Sequence, residues 1–253
     1  MVDIHSHVLP GLDDGARTVE ESLDMLRLAA ARGTTDIVAT PHANDVFAFD
    51  PLRVEETFHD LAERSIGIID LHLGCDFHLN YDNLRDALND PPKYSVNHGR
   101  YLMVELPDLI SVSSIRQTLS HLTRAGILPV ITHPERNLSL QPNLRALENW
   151  VRDGCFLQVT GQSFLGRFGR EAQRAAEWLM HAGLVHFVAS DAHDCSDRPP
   201  DLSGAYKHVA SRYGARRADA LFIDNPTAVL WGDSIPLFAK PGKLSRLFGF
   251  ASR

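Results

Sequence analysis

Cysteine is scarce in this chain: three in 253 residues, at Cys75, Cys155 and Cys195. Three scattered thiols cannot build a disulfide framework, which points to a reducing compartment. Long apolar runs are missing too. No stretch approaches the roughly 18 uninterrupted apolar residues of a membrane span, so the protein is expected not to span a membrane. The opening Met1-Val2-Asp3-Ile4-His5 has neither the basic nor the apolar region of a signal peptide. The expectation is a cytoplasmic protein. Positive charge is in deficit, 25 Lys and Arg against 32 Asp and Glu for a net charge of −7. That excludes a general nucleic-acid binder, which needs a basic surface. It leaves phosphate recognition open, because bound cations can supply positive charge locally. Internal repeats, low-complexity tracts and linkers are absent, and one domain over 1–253 is the expectation at this length.

What the chain has in excess is histidine, 13 residues against 5 tyrosines and 3 tryptophans. Their placement follows the secondary structure. Short runs rich in Val, Ile and Leu predict strands at Val2–Ile4, Asp36–Ala39, Leu71–Gly74, Leu102–Val104, Leu128–Ile131, Phe156–Val159 and His186–Ala189. Their continuous apolar character suits parallel strands buried on both faces. Helical patterns lie between them at Thr18–Arg32, Pro51–Ile66, Ser113–Ala125, Asn143–Asp153 and Arg170–Ala182, most of them stopped by a glycine. Further helices are expected near Asp201–Tyr213 and Arg216–Phe222, and from Asn225-Pro226. Repeated strand–helix units are the rhythm of a parallel α/β fold, here a closed or nearly closed barrel. The basic tail Lys240–Arg253 is read as a packed or frayed terminus.

Metal-type ligands follow the strands. His5 and His7 end the first run, His42 follows the second, and Asp76 the third, with His78 beyond; Glu105 and His133 follow the next two. Asp191 and His193 follow the last. A lone strand-end histidine is usually structural, and an isolated His-x-His is a weak motif. Placement after six separate strands is a different matter, because the C-terminal ends of parallel strands converge on one face. In extended chain, residues i and i+2 point the same way, so His5/His7 and Asp191/His193 can each present a pair. Imidazole with carboxylate suits Mn, Fe, Zn or Co, and a carboxylate can bridge two ions. The Asp13-Asp14-Gly15 segment reads as a turn or as a source of one further carboxylate, Asp14 ahead of Asp13. Arg136 and Arg198 stand close after His133 and His193, where guanidinium groups can grip phosphate oxygens bidentately. The remaining histidines (59, 72, 98, 121, 181, 186 and 208) do not share this placement and are read as structural or surface residues.

With these residues in view, the chain resembles the polymerase-and-histidinol-phosphatase (PHP) superfamily. Within it, it is similar to the CpsB/YwqE-type bacterial protein-tyrosine phosphatases of capsule and exopolysaccharide operons. The resemblance rests on Met1-Val2-Asp3-Ile4-His5-Ser6-His7, Asp13-Asp14-Gly15, Glu20-Glu21-Ser22, Thr40-Pro41-His42, Leu128–Arg136, Ala189–His193, Arg198-Pro199-Pro200 and Phe222–Pro226. It implies a distorted (β/α)7 barrel and two or three divalent metal ions, manganese first, with Fe, Zn, Co or Mg as alternatives. One ion would take His5, His7, Asp76 and Asp191; a second would share Asp76 and add Glu105 and His133. A third would take Asp14, His42 and His193, with Glu105 bridging. Arg136 and Arg198 would bind the phosphoryl group, and Asp191 or His193 would assist the leaving group. One departure stands out: Asp76 occupies a position where the family usually has Glu, one methylene longer. No Cys-x5-Arg loop is present, which disfavours the cysteine-nucleophile route to phosphotyrosine. The implied substrate is phosphotyrosine on an autophosphorylated bacterial tyrosine kinase. The alternatives are a small-molecule phosphomonoesterase, such as one acting on histidinol phosphate, and a catalytically weak metal-binding regulatory module.

Overall fold

The structure, a computed structural model, describes residues 1–108 and 111–235; the expectation for the basic tail lies outside the described residues. Nine strands are present among these, all paired in parallel: β1 (Val2–Ser6), β2 (Asp36–Ala39), β3 (His42–Ala43), β4 (Asp70–Leu73), β5 (Asp76–His78), β6 (Tyr101–Glu105), β7 (Leu128–Thr132), β8 (Phe156–Thr160) and β9 (Phe187–Ala189). The seven predicted runs are all here. The sequence did not announce β3 and β5, which continue β2 and β4 after a short break.

That break has a local cause. Pro41 has no N–H for the ladder, so the chain steps out of register there and resumes at His42. The neighbouring chain steps at Gly74-Cys75, and the Asp76 N–H donates to the Pro41 carbonyl (3.1 Å). Two sheets result, in the orders β1-β2-β4 and β3-β5-β6-β7-β8-β9. Past β9 the chain returns to β1: Asp191 N–H donates to the His5 carbonyl (2.9 Å), His7 N–H to the Ala192 carbonyl (2.8 Å), and Ser6 forms a parallel bridge with Ala192.

Ten α-helices cover the strands among the described residues: α1 (Val19–Ala31), α2 (Pro51–Arg64), α3 (Tyr81–Asn89), α4 (Val112–Arg124), α5 (Ala146–Arg152), α6 (Gly161–Phe164), α7 (Gly169–His181), α8 (Ser203–Tyr213), α9 (Ala215–Asp219) and α10 (Asn225–Trp231). Thr18 caps α1, its Oγ1 accepting from Glu21 N–H (3.2 Å). The Glu21 carboxylate reaches back one residue further than the usual reciprocal cap, taking the Arg17 N–H (2.7 Å). Asp50 caps α2 and Asn80 caps α3. α5 starts at Ala146 rather than Asn143, because Gln141–Asn143, with Pro142 inside it, forms a separate 3-10 turn. The sequence reading had not foreseen α3 and α6. Strands β1 and β6 to β9 are buried almost end to end, as expected of strands covered on both faces. Trp150, Tyr101, Phe77, Phe164, Phe187 and Phe222 are the largest side chains sealed inside. No helix among the described residues is long and apolar enough to cross a membrane, and the three cysteines are free.

Candidate metal centre

Parallel pairing puts the C-terminal ends of all these strands at one rim. The structure brings His5, His7, Asp14, His42, Asp76, Glu105, His133, Asp191 and His193 together there, with Arg136 and Arg198 beside them. Their ligand atoms form four overlapping groups that could hold a metal ion: His7/Asp14/His42/His193, His5/His7/Asp76, His5/His133/Asp191 and His42/Asp76/Glu105. Six of these nine residues (His5, His7, Asp76, His133, Asp191 and His193) are buried; Asp14, at 53% side-chain exposure, faces the opening.

The groups outside the cluster fix what the inner atoms can be. The Asp13 carboxylate accepts from His7 Nδ1 (2.7 Å), from the His42 backbone N–H (3.0 Å) and from Gly15 N–H (3.0 Å). His5 Nδ1 lies 3.0 Å from Gln158 Oε1, both buried. An Nδ1 facing an acceptor oxygen carries the hydrogen, which leaves Nε2 as a lone pair. The two Nε2 atoms of His5 and His7 therefore point at each other across 3.3 Å. Two lone pairs at that distance repel unless a cation lies between them.

Further contacts have the same character. Asp191 Oδ1 lies 3.5 Å from both Nε2 atoms. Asp76 Oδ2 lies 3.5 Å from His5 Nε2 and 3.3 Å from His42 Nδ1. These last two, Asp76 Oδ2 and His42 Nδ1, are buried without a hydrogen-bond partner. Asp14 Oδ1 sits 3.4 Å from His42 Nε2 and 3.5 Å from His193 Nε2. Ligand bonds near 2.1 Å in tetrahedral geometry put neighbouring donor atoms about 3.4 Å apart. The donor set thus fits divalent cations in chemistry and in spacing. The shorter Asp76 is close enough to reach both His5 and His42, so the missing methylene does not take it out of the cluster.

Charge at the rim points the same way. Burial disfavours a proton on His42 and on His7. Yet Asp14 and Asp76 push His42 up to about 11, and Asp13 pushes His7 up to about 9. A field that draws protons this strongly draws metal ions by the same means. Burial opposes ionisation of Asp191, but His5 and Arg136 outweigh it and hold the carboxyl well below its usual range. Burial, with Arg136 adding to it, takes His133 down to about 3, leaving a neutral ring.

Two of the residues are held in left-handed backbone, His133 at φ 32° and Asp191 at φ 53°. Such strain persists in folded proteins where the surroundings over-determine it, and it clusters at functional sites. Gly15 explains the Asp-Asp-Gly motif: a Cβ there would lie 2.0 Å from the His7 carbonyl oxygen. The turn that delivers Asp13 and Asp14 is pressed directly onto β1.

Both arginines meet Asp191 Oδ2, Arg136 through Nη1 and Arg198 through Nη2 at 2.5 Å. The loop carrying Arg198 is folded back by Asp194, whose Oδ1 accepts from the backbone N–H groups of Ser196 and Asp197 (2.6 Å each). The Phe168 ring lies under the pair, 4.4 Å from the Arg136 guanidinium and 5.9 Å from that of Arg198. An open cavity of about 440 Å³ lined by Arg136, Leu138, Gln141 and Phe168 lies on the Arg136 side of the pair. Another of about 330 Å³, lined by Asp14, Gly15, His193 and Cys195, adjoins the histidines.

His78 stands at the edge, its Nδ1 3.4 Å from Glu105 Oε2. His72 pairs with Asp36 (3.2 Å) at the opposite end of the strands, and His186 Nδ1 accepts from the Leu157 N–H (3.1 Å) in the core. The Val46–Phe49 stretch divides: Phe47 stacks on His42, ring centroids 6.0 Å apart, while Phe49 packs on Tyr94 at 5.0 Å. Sequence reasoning missed Asp13 as the residue that orients His7, along with Gln158 and Phe168. Asp13 carried a signal, being next to the chosen carboxylate; an amide and a phenyl ring carry none.

Parallel α/β architecture with a histidine–carboxylate cluster at the C-terminal strand ends defines a class of metal-centred proteins. The family described as capsular polysaccharide synthesis, CpsB/CapC, matches residues 1–231, and the chain belongs to it. The tyrosine-protein phosphatase YwqE of Bacillus subtilis (strain 168) is 33% identical over 257 residues, covering 99% of this chain and 100% of the relative. The tyrosine-protein phosphatase CpsB of Streptococcus pneumoniae is 31% identical over 239 residues, covering 91% and 98%. A crystal structure from work on B. subtilis YwqE and S. pneumoniae CpsB, described as unique metal-dependent tyrosine phosphatases, superposes with a TM-score of 0.86. It does so at 31% identity over 93% of this chain and 96% of that one.

Proposed function

We propose that the protein is a metal-dependent protein-tyrosine phosphatase that hydrolyses phosphotyrosine on an autophosphorylated bacterial tyrosine kinase controlling capsule or exopolysaccharide synthesis. The observation that carries this reading is the pair Arg136 and Arg198 set against four overlapping ligand groups. Support also comes from relatives named as tyrosine phosphatases across nearly their whole length. The reading includes a single domain closed as a distorted (β/α)7 barrel, supported by the hydrogen bonds from the Asp191–Ala192 segment to β1. It also places the protein in the cytoplasm, in keeping with free thiols.

In this proposal two or three ions, manganese first, are held by His5, His7, Asp14, His42, Asp76, Glu105, His133, Asp191 and His193. When bound, they supply Lewis-acid activation and neutralise phosphoryl charge. The chain's own groups do the rest. Arg136 and Arg198 exchange Asp191 Oδ2 for phosphoryl oxygens, offering forked donors that match them and strengthen as charge builds. Asp13 and Gln158 keep the His7 and His5 lone pairs turned inward. Asp191 has one oxygen on His5 and His7 and the other on the arginines, and the oxygen the arginines release on binding the phosphoryl group is free to assist the leaving group. His193, on the open side beside Asp14, is the other helper. A phenolate leaves at a pKa near 10 and needs less of that help than an alkoxide does. This favours aryl over alkyl phosphomonoesters.

The test compares purified, manganese-loaded protein on a phosphotyrosine peptide and on histidinol phosphate. A higher kcat/KM on the peptide is expected, abolished by chelator and restored by metal. Preference for histidinol phosphate overturns the substrate assignment, and a loaded protein inert even on p-nitrophenyl phosphate makes it a binding module instead.

A further inference from the structure

β8 is the one predicted strand whose end carries no metal-type ligand. The segment that follows it touches the site in a different way, by holding side chains that other segments present. Thr160 N–H and Ser163 Oγ donate to Oε1 of the buried Glu135 at 3.0 and 2.6 Å, which anchors the backbone just before Arg136. A compact turn follows α6. Arg167 N–H donates to the Gln162 carbonyl (3.1 Å), Gly169 N–H to the Gly166 carbonyl (3.1 Å), and Gln173 Nε2 to the Phe164 carbonyl (2.9 Å). Phe168 sits in this turn between Gly166 and Gly169, both at positive φ. The turn presents the ring to the two guanidinium groups, at 4.4 and 5.9 Å.

Two guanidinium groups crowding one site repel each other, and each side chain has several rotatable bonds to order before it can grip an anion. An aromatic face fixed by its own backbone answers both difficulties, because its quadrupole attracts each cation. We propose that Phe168 is the positioning residue for phosphoryl recognition, its ring holding Arg136 and Arg198 side by side and facing the site before the anion arrives. The proposal rests on the phosphatase reading for the identity of the anion. Phe168 offers no ligand atom, so its effect is separable from metal binding.

The experiment titrates inorganic phosphate into manganese-loaded wild type and Phe168→Ala, Phe168→Leu and Phe168→Tyr variants by calorimetry. Manganese content, Tm, and kcat and KM on p-nitrophenyl phosphate are measured alongside. Phe168→Ala and Phe168→Leu are expected to weaken phosphate binding and raise KM roughly tenfold, with smaller change in kcat and with metal content and Tm unchanged. Phe168→Tyr restores wild-type behaviour. Phosphate affinity unchanged in the leucine variant overturns the role of the ring. Weakening that tracks lost manganese or a lowered Tm, no rescue by tyrosine, or a wild type that binds no phosphate overturns the proposal as a whole. If the wild type binds phosphate yet hydrolyses no phosphomonoester, the phosphatase reading falls while the phosphate titrations still decide the matter of Phe168.

Discussion

At the scale of single residues, the site is a set of lone pairs held in place from behind. Asp13 is the clearest case, since one carboxylate serves the His7 ring, the His42 backbone and the Gly15 turn together. Replacing it by asparagine keeps the size but lets an amide N–H face His7 Nδ1, favouring the wrong tautomer. Asp13→Asn is expected to lower manganese affinity and kcat/KM by about 10- to 100-fold. Calorimetric metal titration beside steady-state kinetics checks this, and unchanged metal affinity would remove Asp13 from the account. Eight of the nine inner residues were legible in the sequence because each is a metal-type side chain at a strand end; Asp14, in the turn after β1, was legible from the Asp-Asp-Gly segment and the resemblance. Gln158 and Phe168 were not, because what they do depends on neighbours far off in the chain. No spacing rule connects Phe168 to Arg198.

At the scale of elements, the helices other than α3 and α6 and the longer strands were readable because each announces itself locally. Thr18 and Glu21 show the start of α1, and Gly126, at φ 84° after α4, shows a stop only glycine makes cheaply. Thr18→Ala is expected to cost about 1 kcal/mol of stability through the lost cap, measured by urea denaturation of the metal-free protein. An unchanged midpoint and slope would show that the neighbouring Glu21–Arg17 contact suffices. The strands that escaped, β3 and β5, are 2 and 3 residues long. Periodicity has nothing to work on over that length. Their pairing is set by the step at Pro41, and it aligns His42 directly with Asp76, so the least legible strands carry the most closely matched ligands.

At the scale of the whole molecule, folding stability is coupled to pH through groups far from the rim. Burial first, then Arg217, takes His186 down to about 4 from an ordinary 6.5. Between those values the unfolded chain binds a proton that the folded one refuses. Stability contributed by the neutral ring is therefore complete above pH 6.5 and is lost as pH falls towards 4, by about 3 kcal/mol in all. In His186→Asn the amide oxygen can still accept from Leu157. The variant's loss of stability between pH 6.5 and 4 is expected to be smaller than that of wild type by about this amount. Parallel denaturation series would show it, and identical pH slopes would contradict it.

The return of the Asp191–His193 segment onto β1 also sets an order of events during synthesis. His5 and His7 leave the ribosome early and can meet Asp76 first, but the ligand groups that include Asp191 or His193 cannot close until that late segment follows. A growing chain therefore exposes half-formed coordination sites to whatever ions the cell holds. Full loading must wait for the Asp191–His193 segment to fold back onto β1, which makes metal choice a matter of which ions are at hand at that late stage.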